Sequence, residues 1–487
     1  MNVLLLALAL LPPLSAIACL VVPGARTPAR VAIGANALVL AGALAVAAGA
    51  LGGAPAVGGG GWLLADPLAA LVLCLVAVVA LASSWYGAGY LPLVASELGA
   101  RWTPQRFHAL FQALVGSLVV AAIANNLGLL WIAIETSTLA SAVLVSAYPR
   151  PGALEAAWKY LILCSVGVVF ALLATVLLYA SAVGVFGEGA AGLQWAALRE
   201  VAPHLDARLL RLSFLFALVG YGAKAGLAPL HTWAPDAYGQ APTPVSATMS
   251  GGLLAVSLVA LFRFHSLCAR GLESPWSGGL LVVFGALSLL VSVPFLLLQG
   301  DYKRLLAYSS LENAGLVTLA VGFGTPLAVT GALFHLVGQS LAKALAFLLG
   351  GSLATGYGTR RMDRWIGVVE TFPALAPLFA VSGIALAGLP PTSLFLSEWF
   401  ALGGGLAGGH VLAVGVAFAA LAVIFAGLAF HWTRMAIGRP RDDARMRVPA
   451  FAHAPLWGLA ALLVLFGVWL PAPVRALIER AAEVLRP

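Results

Sequence analysis

The sequence predicts an all-α polytopic membrane protein of about fourteen transmembrane helices, built as two inverted five-helix repeats, each with a broken helix. Three observations carry that expectation. First, 62% of the 487 residues are hydrophobic and only 9% are charged, whereas soluble domains carry roughly 25% charged residues. Second, apolar runs of ~20 residues, the length that spans a bilayer, recur along the whole chain. Third, two of these runs are interrupted, one across Gly222 to Pro244 and the other at Gly388-Leu-Pro-Pro-Thr-Ser393. Hydrocarbon cannot satisfy irregular backbone, so such breaks survive only inside protein or beside a water-filled cavity.

Taken in order, the spans are expected near 2–22, 31–51, 63–83, 107–124, 127–147, 157–181, 211–230 with its continuation, 244–264, 277–298, 303–322, 327–350, 372–402 (broken), 410–431 and 453–470. The first has no basic flank and no clear cleavage site, so it reads as a retained helix and not a signal peptide. One set of alternate loops is basic: Arg26, Arg30, Arg101, Arg106, Arg150, Lys303, Arg304, Arg360, Arg361, Arg364, Arg434, Arg439, Arg441, Arg445 and Arg447. The other set is nearly bare, as in Gly52 to Gly61, Gly322 to Pro326 and Gly403 to Gly409, the exceptions being the longer loop 182–211, the Arg270 loop and the C-terminal tail. The positive-inside rule makes the basic set cytoplasmic, and fourteen spans then leave both termini outside. The net charge of +8 is explained by these loops and implies no nucleic-acid partner.

The breaks fall five spans apart. Within a single membrane domain, 1–487, that suggests a first repeat at 107–265 and a second at 277–431, in opposite orientations because five is odd. The charges follow the same plan. The second helix of each unit carries Glu135 or Glu312, the third Lys159 or Lys343, and the fourth Lys224 or Glu398. An isolated charge at this depth is costly and marks function by default. A Glu–Lys pair avoids that cost and can be switched by moving the partners apart. Glu135, Lys224, Lys343 and Glu398 are therefore the expected proton relay, with Lys159, His231, Glu312 and His335 as accessories. Lys159 can equally be an interface residue that snorkels. His335 lies eight residues from Lys343, close to one helix face, which favours a hydrated path. His231 sits at the first break and either shuttles protons or bonds freed carbonyls.

Other features read as structural. Asp66 and Asp236 suit caps, and Arg263 suits a helix C-terminus. Cys19, Cys74, Cys164 and Cys268 are scattered in or near apolar runs, without the spacing of a metal or iron–sulfur site. There is no Walker motif, dinucleotide fingerprint, metal cluster or haem ligand pair. No cofactor is expected, and the chain is expected to move charge without transforming a substrate.

The segment Ala223-Lys-Ala-Gly-Leu-Ala-Pro-Leu-His-Thr-Trp-Ala-Pro-Asp-Ala-Tyr-Gly-Gln-Ala-Pro-Thr-Pro-Val-Ser246, with Asp301-Tyr-Lys-Arg-Leu-Leu-Ala-Tyr-Ser-Ser310 and Ala387-Gly-Leu-Pro-Pro391, resembles the proton-translocating antiporter-like family. That family includes the large membrane subunits of respiratory complex I, subunits of multisubunit sodium/proton antiporters and membrane subunits of energy-converting hydrogenases. The segments Asn125 to Ser141, Glu155 to Gly167 and Ser309-Ser-Leu-Glu-Asn-Ala-Gly315 look most like the hydrogenase-4 component F and formate hydrogenlyase branch.

The resemblance implies a proton-translocating subunit of a redox-driven complex in the inner (cytoplasmic) membrane, not an enzyme by itself. Its partners would be other membrane subunits and a peripheral module with iron–sulfur centres. The alternative is a sodium/proton antiporter subunit, or a proton-flux subunit coupled to inorganic carbon uptake. Carried over, Glu135 resembles the fifth-helix glutamate, Lys224 its seventh-helix partner, Lys343 the eleventh-helix lysine and Glu398 the twelfth-helix terminal group. One departure matters. The eighth-helix motif usually ends in lysine, and here Ser250-Gly-Gly-Leu-Leu-Ala255 ends in alanine. Water, His335 or a hydroxyl such as Ser257 would have to bridge, or the path is impaired. The chain also stops soon after the last expected span and lacks the long lateral helix of one complex I subunit.

Overall fold

Apolar runs punctuated by Pro, Thr, Asp and Asn become a helical bundle, seen in a computed structural model that describes residues 1–53, 55–439 and 444–486. Arg441, expected in a basic loop, lies outside the described residues. The described helices are α1 Asn2–Val21, α2 Thr27–Gly52, α3 Pro67–Val94, α4 Pro104–Ile123, α5 Leu127–Val145, α6 Pro151–Phe186, α7 Trp195–Val201, α8 Ala207–Ala225, α9 Trp233–Gln240, α10 Thr243–Thr248, α11 Leu254–Leu272, α12 Trp276–Leu298, α13 Tyr302–Phe323, α14 Pro326–Tyr357, α15 Val368–Thr371, α16 Ala376–Leu386, α17 Ser393–Ala407, α18 Val411–Ala436, α19 Ala454–Val468 and α20 Ala472–Leu485. The one sheet among the described residues is a hairpin, β1 Ala56–Gly58 in the expected bare loop against β2 Leu63–Ala65 at the start of the third expected span.

Helix starts follow capping chemistry. Asp66 accepts from the Ala69 amide ahead of Pro67, Asn126 from Leu129, Asp206 from Leu209, Asp301 from Arg304 and Thr325 from Ala328. Each supplies an acceptor to an amide that the helix leaves unpaired.

Eleven described helical stretches are long and apolar enough to cross a membrane. The expected count of fourteen exceeds them by three segments: α8, α13 and the pair α16–α17. Charge and interruption set these apart. Helix α8 carries Arg208, Arg211 and Lys224, α13 carries Lys303, Arg304 and Glu312, and the α16–α17 pair is cut into short pieces.

Both expected breaks are present. The first occupies residues 226–232, where Gly226 turns left-handed at φ 78° and closes α8 on the carbonyls of Ala223 and Gly222. Trp233 Nε1 donates to the Ala223 carbonyl, and Ser288 Oγ accepts from the Ala228 amide, so the loosened backbone stays partnered. The second lies at 387–392, with Gly388 at φ 63°. A side chain there would meet the Glu398 carboxylate, 2.6 Å from a Cβ.

Two stretches whose apolar middles are fully buried form the centre: α14, exposed only near its Leu327 end and partly near its C-terminus, and the run Thr243–Leu272. They touch where Thr243–Leu272 widens into a π-helical turn, Met249–Leu253. A Cβ at Gly251 would stand 3.0 Å from the Ser340 carbonyl. The C-terminal tail forms the amphipathic helix α20. It buries Leu477, Ile478, Ala481, Ala482 and Leu485, and Arg480 donates to the carbonyls of Ala50 and Leu51 at the end of α2.

Candidate functional site: two lysine clusters in the bundle

Lys224 is the last-turn basic residue of α8 and is 1% exposed. Its Nζ donates to Thr138 Oγ1 at 2.8 Å and to Tyr160 OH at 2.7 Å, and lies 4.8 Å from the Tyr160 ring centre. The Tyr160 hydroxyl sits 2.7 Å from Ser141 Oγ. Glu135 is half-buried. It accepts from Ser165 Oγ at 2.9 Å, and its other oxygen has no partner. No direct ion pair joins Glu135 to Lys224. Thr138, which holds the lysine, is three residues from Glu135, ~4.5 Å along the α5 axis.

The second cluster is continuous. Lys343, in the middle of α14, is fully buried and donates to Ser309 Oγ at 2.5 Å. Ser309 donates in turn to Glu312 Oε2 at 3.0 Å, and Asn313 Nδ2 donates to the same oxygen at 3.2 Å. Asn313 Oδ1 lies 2.8 Å from His335 Nε2, and His335 Nδ1 lies 2.9 Å from Ser397 Oγ. Asn313 Nδ2 donates to the Ser309 carbonyl as well as to Glu312, which turns Oδ1 to His335 Nε2. His335 Nδ1 faces the hydroxyl of Ser397, the neighbour of Glu398, and that hydroxyl also donates to the Leu394 carbonyl. Glu398 lies over Gly388 at the second break.

Between the clusters stands the π-turn. Ser250 Oγ, within it, is 2.8 Å from Ser310 Oγ, next to Ser309. A cavity of about 10 Å³, near the lower limit for one water, is lined by Gly226, His231, Leu254 and Ser310. His231 Nδ1 is buried without a partner. The groups expected to stand in for a lysine at Ala255 are placed differently. Ser257 Oγ is spent on the Leu253 carbonyl, and His335 bonds toward the Glu398 helix.

Lys159 lies at the surface, paired with Glu155 at 2.5 Å and Asp236 at 3.4 Å. Asp236 is no loop cap. It sits in the first turn of α9 and also pairs with Arg304. Asp66 does cap α3, but Arg263, expected only to suit a helix end, forks onto it at 3.0 and 3.2 Å. Lys303, expected in a solvated loop, is 5% exposed and donates to the Ala241 carbonyl at 2.8 Å.

Sequence reasoning missed Lys303, Tyr160, Ser309 and Asn313 as participants. Their signal was position: Tyr160 and Asn313 adjoin Lys159 and Glu312, Ser309 lies three residues before Glu312, and Lys303 adjoins Arg304. Lys303 faces a cavity of about 330 Å³, shared with Tyr90, Tyr148, Thr243, Arg150 and Arg360. The hydroxyls of Tyr148, Tyr90 and Thr243 form a chain at 3.4 and 3.3 Å. No cluster of His, Cys, Asp or Glu able to hold a metal occurs among the described residues.

Residues 124–424 match the family described as NADH:quinone oxidoreductase/Mrp antiporter, TM. The chain is 35% identical over 384 residues to a hydrogenase-4 component F homolog of Methylacidiphilum infernorum, covering 78% of this chain and 79% of that one. It is 32% identical over 364 residues to NADH-quinone oxidoreductase subunit N of Desulforudis audaxviator, covering 73% and 68%. Its fold is shared with a chain of the membrane-bound sulfane sulfur reductase, an archaeal respiratory membrane complex, at TM-score 0.87 and 23% identity, covering 100% of this chain and 98% of that one.

Proposed function

The chain belongs to the NADH:quinone oxidoreductase/Mrp antiporter transmembrane family, and from that premise we propose that it is a proton-translocating membrane subunit of a redox-driven complex. It sits in the cytoplasmic membrane with its basic face inward, beside other membrane subunits. Iron–sulfur centres belong to a peripheral partner module, and this chain performs no redox chemistry itself. The relay residues are Lys224, Lys343 and Glu398, with Glu135 as the switching carboxylate and Glu312, His335 and His231 in support. Residues 107–265 and 277–431 form its two halves.

The single observation that carries this reading is the chain Lys343–Ser309–Glu312–Asn313–His335–Ser397. Hydroxyls that both accept and donate let Lys343 lose a proton through Ser309 while Glu312 gains one. Once Glu312 is protonated it can donate. The Asn313 amide then turns over by giving up its remaining bond to the Ser309 carbonyl, His335 exchanges its proton from one nitrogen to the other, and the chain's polarity reverses toward Ser397 and Glu398. Uptake runs from the basic face through the Lys303 cavity. Transfer from Lys224 runs past His231 and Ser310, with one water in the small cavity. Glu135 and Lys224, each held by hydroxyls, approach when a neighbouring subunit changes the local field. Moving one charge across 100 mV costs ~2.3 kcal/mol, within reach of one buried ion-pair rearrangement.

The test is proton uptake into proteoliposomes holding the whole complex, with redox turnover followed in parallel. Lys224→Ala abolishes uptake with assembly intact, and Glu398→Gln blocks release. Full pumping by the Lys224 variant refutes the relay, and failed assembly supports a structural role.

A further inference from the structure

A crevice of about 940 Å³ opens at the basic face between α2, α3 and α4, closed on its remaining side by residues 447–451. That volume is at the upper end of small-molecule sites, ~300–1,000 Å³. Its walls are largely apolar and aromatic: Trp85, Trp102, Phe107 and Phe451. Trp85 is fixed by donating to the Phe451 carbonyl at 3.0 Å. Arg26, Arg30 and Arg447 line the same crevice, and none has a carboxylate partner among the described residues. In the wall lies His108, 3% exposed, whose Nδ1 is buried without a hydrogen-bond partner.

Apolar walls and three guanidinium groups without a carboxylate partner among the described residues describe an amphiphile with an anionic head. We propose that the crevice binds an anionic phospholipid from the leaflet on the basic face. The phosphate lies among Arg26, Arg30 and Arg447, and an acyl chain lies against Trp85, Trp102 and Phe107. A basic pocket between membrane helices at that leaflet is chemistry suited to such a headgroup. Free phosphate would leave the aromatic walls bare, and a zwitterionic lipid would bring its own cation to the arginines. The bound lipid also braces α3. Gly87, which lines the crevice, also lies beside Pro244, where a Cβ would stand 3.5 Å away, so this part of α3 adjoins the segment that follows the first break. The crevice contains none of the relay side chains, although Arg447 also lines the Lys303 cavity.

The experiment uses the purified complex, delipidated in detergent and re-exposed to phosphatidylglycerol, phosphatidylcholine or inorganic phosphate. Native mass spectrometry counts lipid retained on this chain, and brominated acyl chains report contact through tryptophan quenching. Wild type retains phosphatidylglycerol over phosphatidylcholine, and phosphate does not displace it. The combined variant Arg26→Gln, Arg30→Gln, Arg447→Gln binds on the order of tenfold more weakly, or worse. Ala88→Phe, which fills the wall and spares the arginines, loses the lipid as well. Equal retention of both lipids, undiminished retention by the triple variant, or displacement by phosphate overturns the proposal, as does a protein segment found in the crevice of the intact complex.

Discussion

The two lysine clusters are built from the same residue types and connected differently. Around Lys224 the acid and the base each have their own hydroxyl partners, Ser165 for Glu135 and Thr138 with Tyr160 for Lys224, and no bond joins the two sets. Around Lys343 a single hydroxyl, Ser309, touches both the lysine and Glu312, and the chain continues to Ser397. The first arrangement leaves a gap that movement can open or close. The second is a wire whose polarity one carboxylate sets. One fold can therefore hold a switch and a conductor, and the hydroxyl between acid and base decides which. Glu135 and Thr138, like Ser309 and Glu312, lie three residues apart on one helix, but Ser309 bonds both its lysine and its glutamate, whereas Thr138 bonds Lys224 and not Glu135.

The largest effect that would break this contrast comes from the lysines. Lys343→Ala removes the head of the wire and is expected to abolish proton uptake by the assembled complex, as Lys224→Ala does. If only one of them abolishes uptake, the two clusters do not act in series. Next is Glu312→Gln. It removes the one group that can reverse the chain, and losing charge-assisted bonds worth ~1.5–3 kcal/mol should slow uptake at least tenfold. Unchanged uptake kinetics would reduce Glu312 to a packing residue.

A smaller effect separates the clusters by stability. Asn313→Leu leaves a buried His335 nitrogen unpaired and should cost about 1–3 kcal/mol, seen as a lowered melting temperature. Ser165→Ala, which removes the one hydroxyl on the half-buried Glu135, should cost less. The reverse order would show that the first cluster is the more tightly bonded. Smallest is Arg361→Ala. Arg361 and Asp363 form an exposed pair at 2.8 Å, and the guanidinium holds the Asp363 carboxyl below its ordinary range. Such a pair on the basic face is screened by water, so pumping should be unchanged at any pH that leaves the complex assembled. A pumping defect there would move the relay's opening to that loop.

Much of the architecture was legible because bilayer chemistry writes itself into composition. Apolar length marks the spans, Gly and Pro mark the breaks, and a lysine in hydrocarbon is too costly to be incidental. Lys224, Lys343, Glu312, His335 and Glu398 were all visible in this way. The partners were not. Ser309, Asn313 and Tyr160 are unremarkable polar residues in one dimension, and Lys303 resembled its solvated neighbours. Only the approach of α13 to α14, and of α6 to α8, shows which hydroxyl meets which charge.

The sequence by itself determined the membrane class, the two interrupted helices, the family and the residues whose charge demands an explanation, because each follows from local chemistry and cost. Tertiary structure decided the rest: the separation of Glu135 from Lys224, the continuity from Lys343 to Ser397, the π-turn beside Ala255 and the arginine-rimmed crevice. Those depend on distances between residues remote in the chain, and hydrogen bonds are made or lost within a few tenths of an ångström.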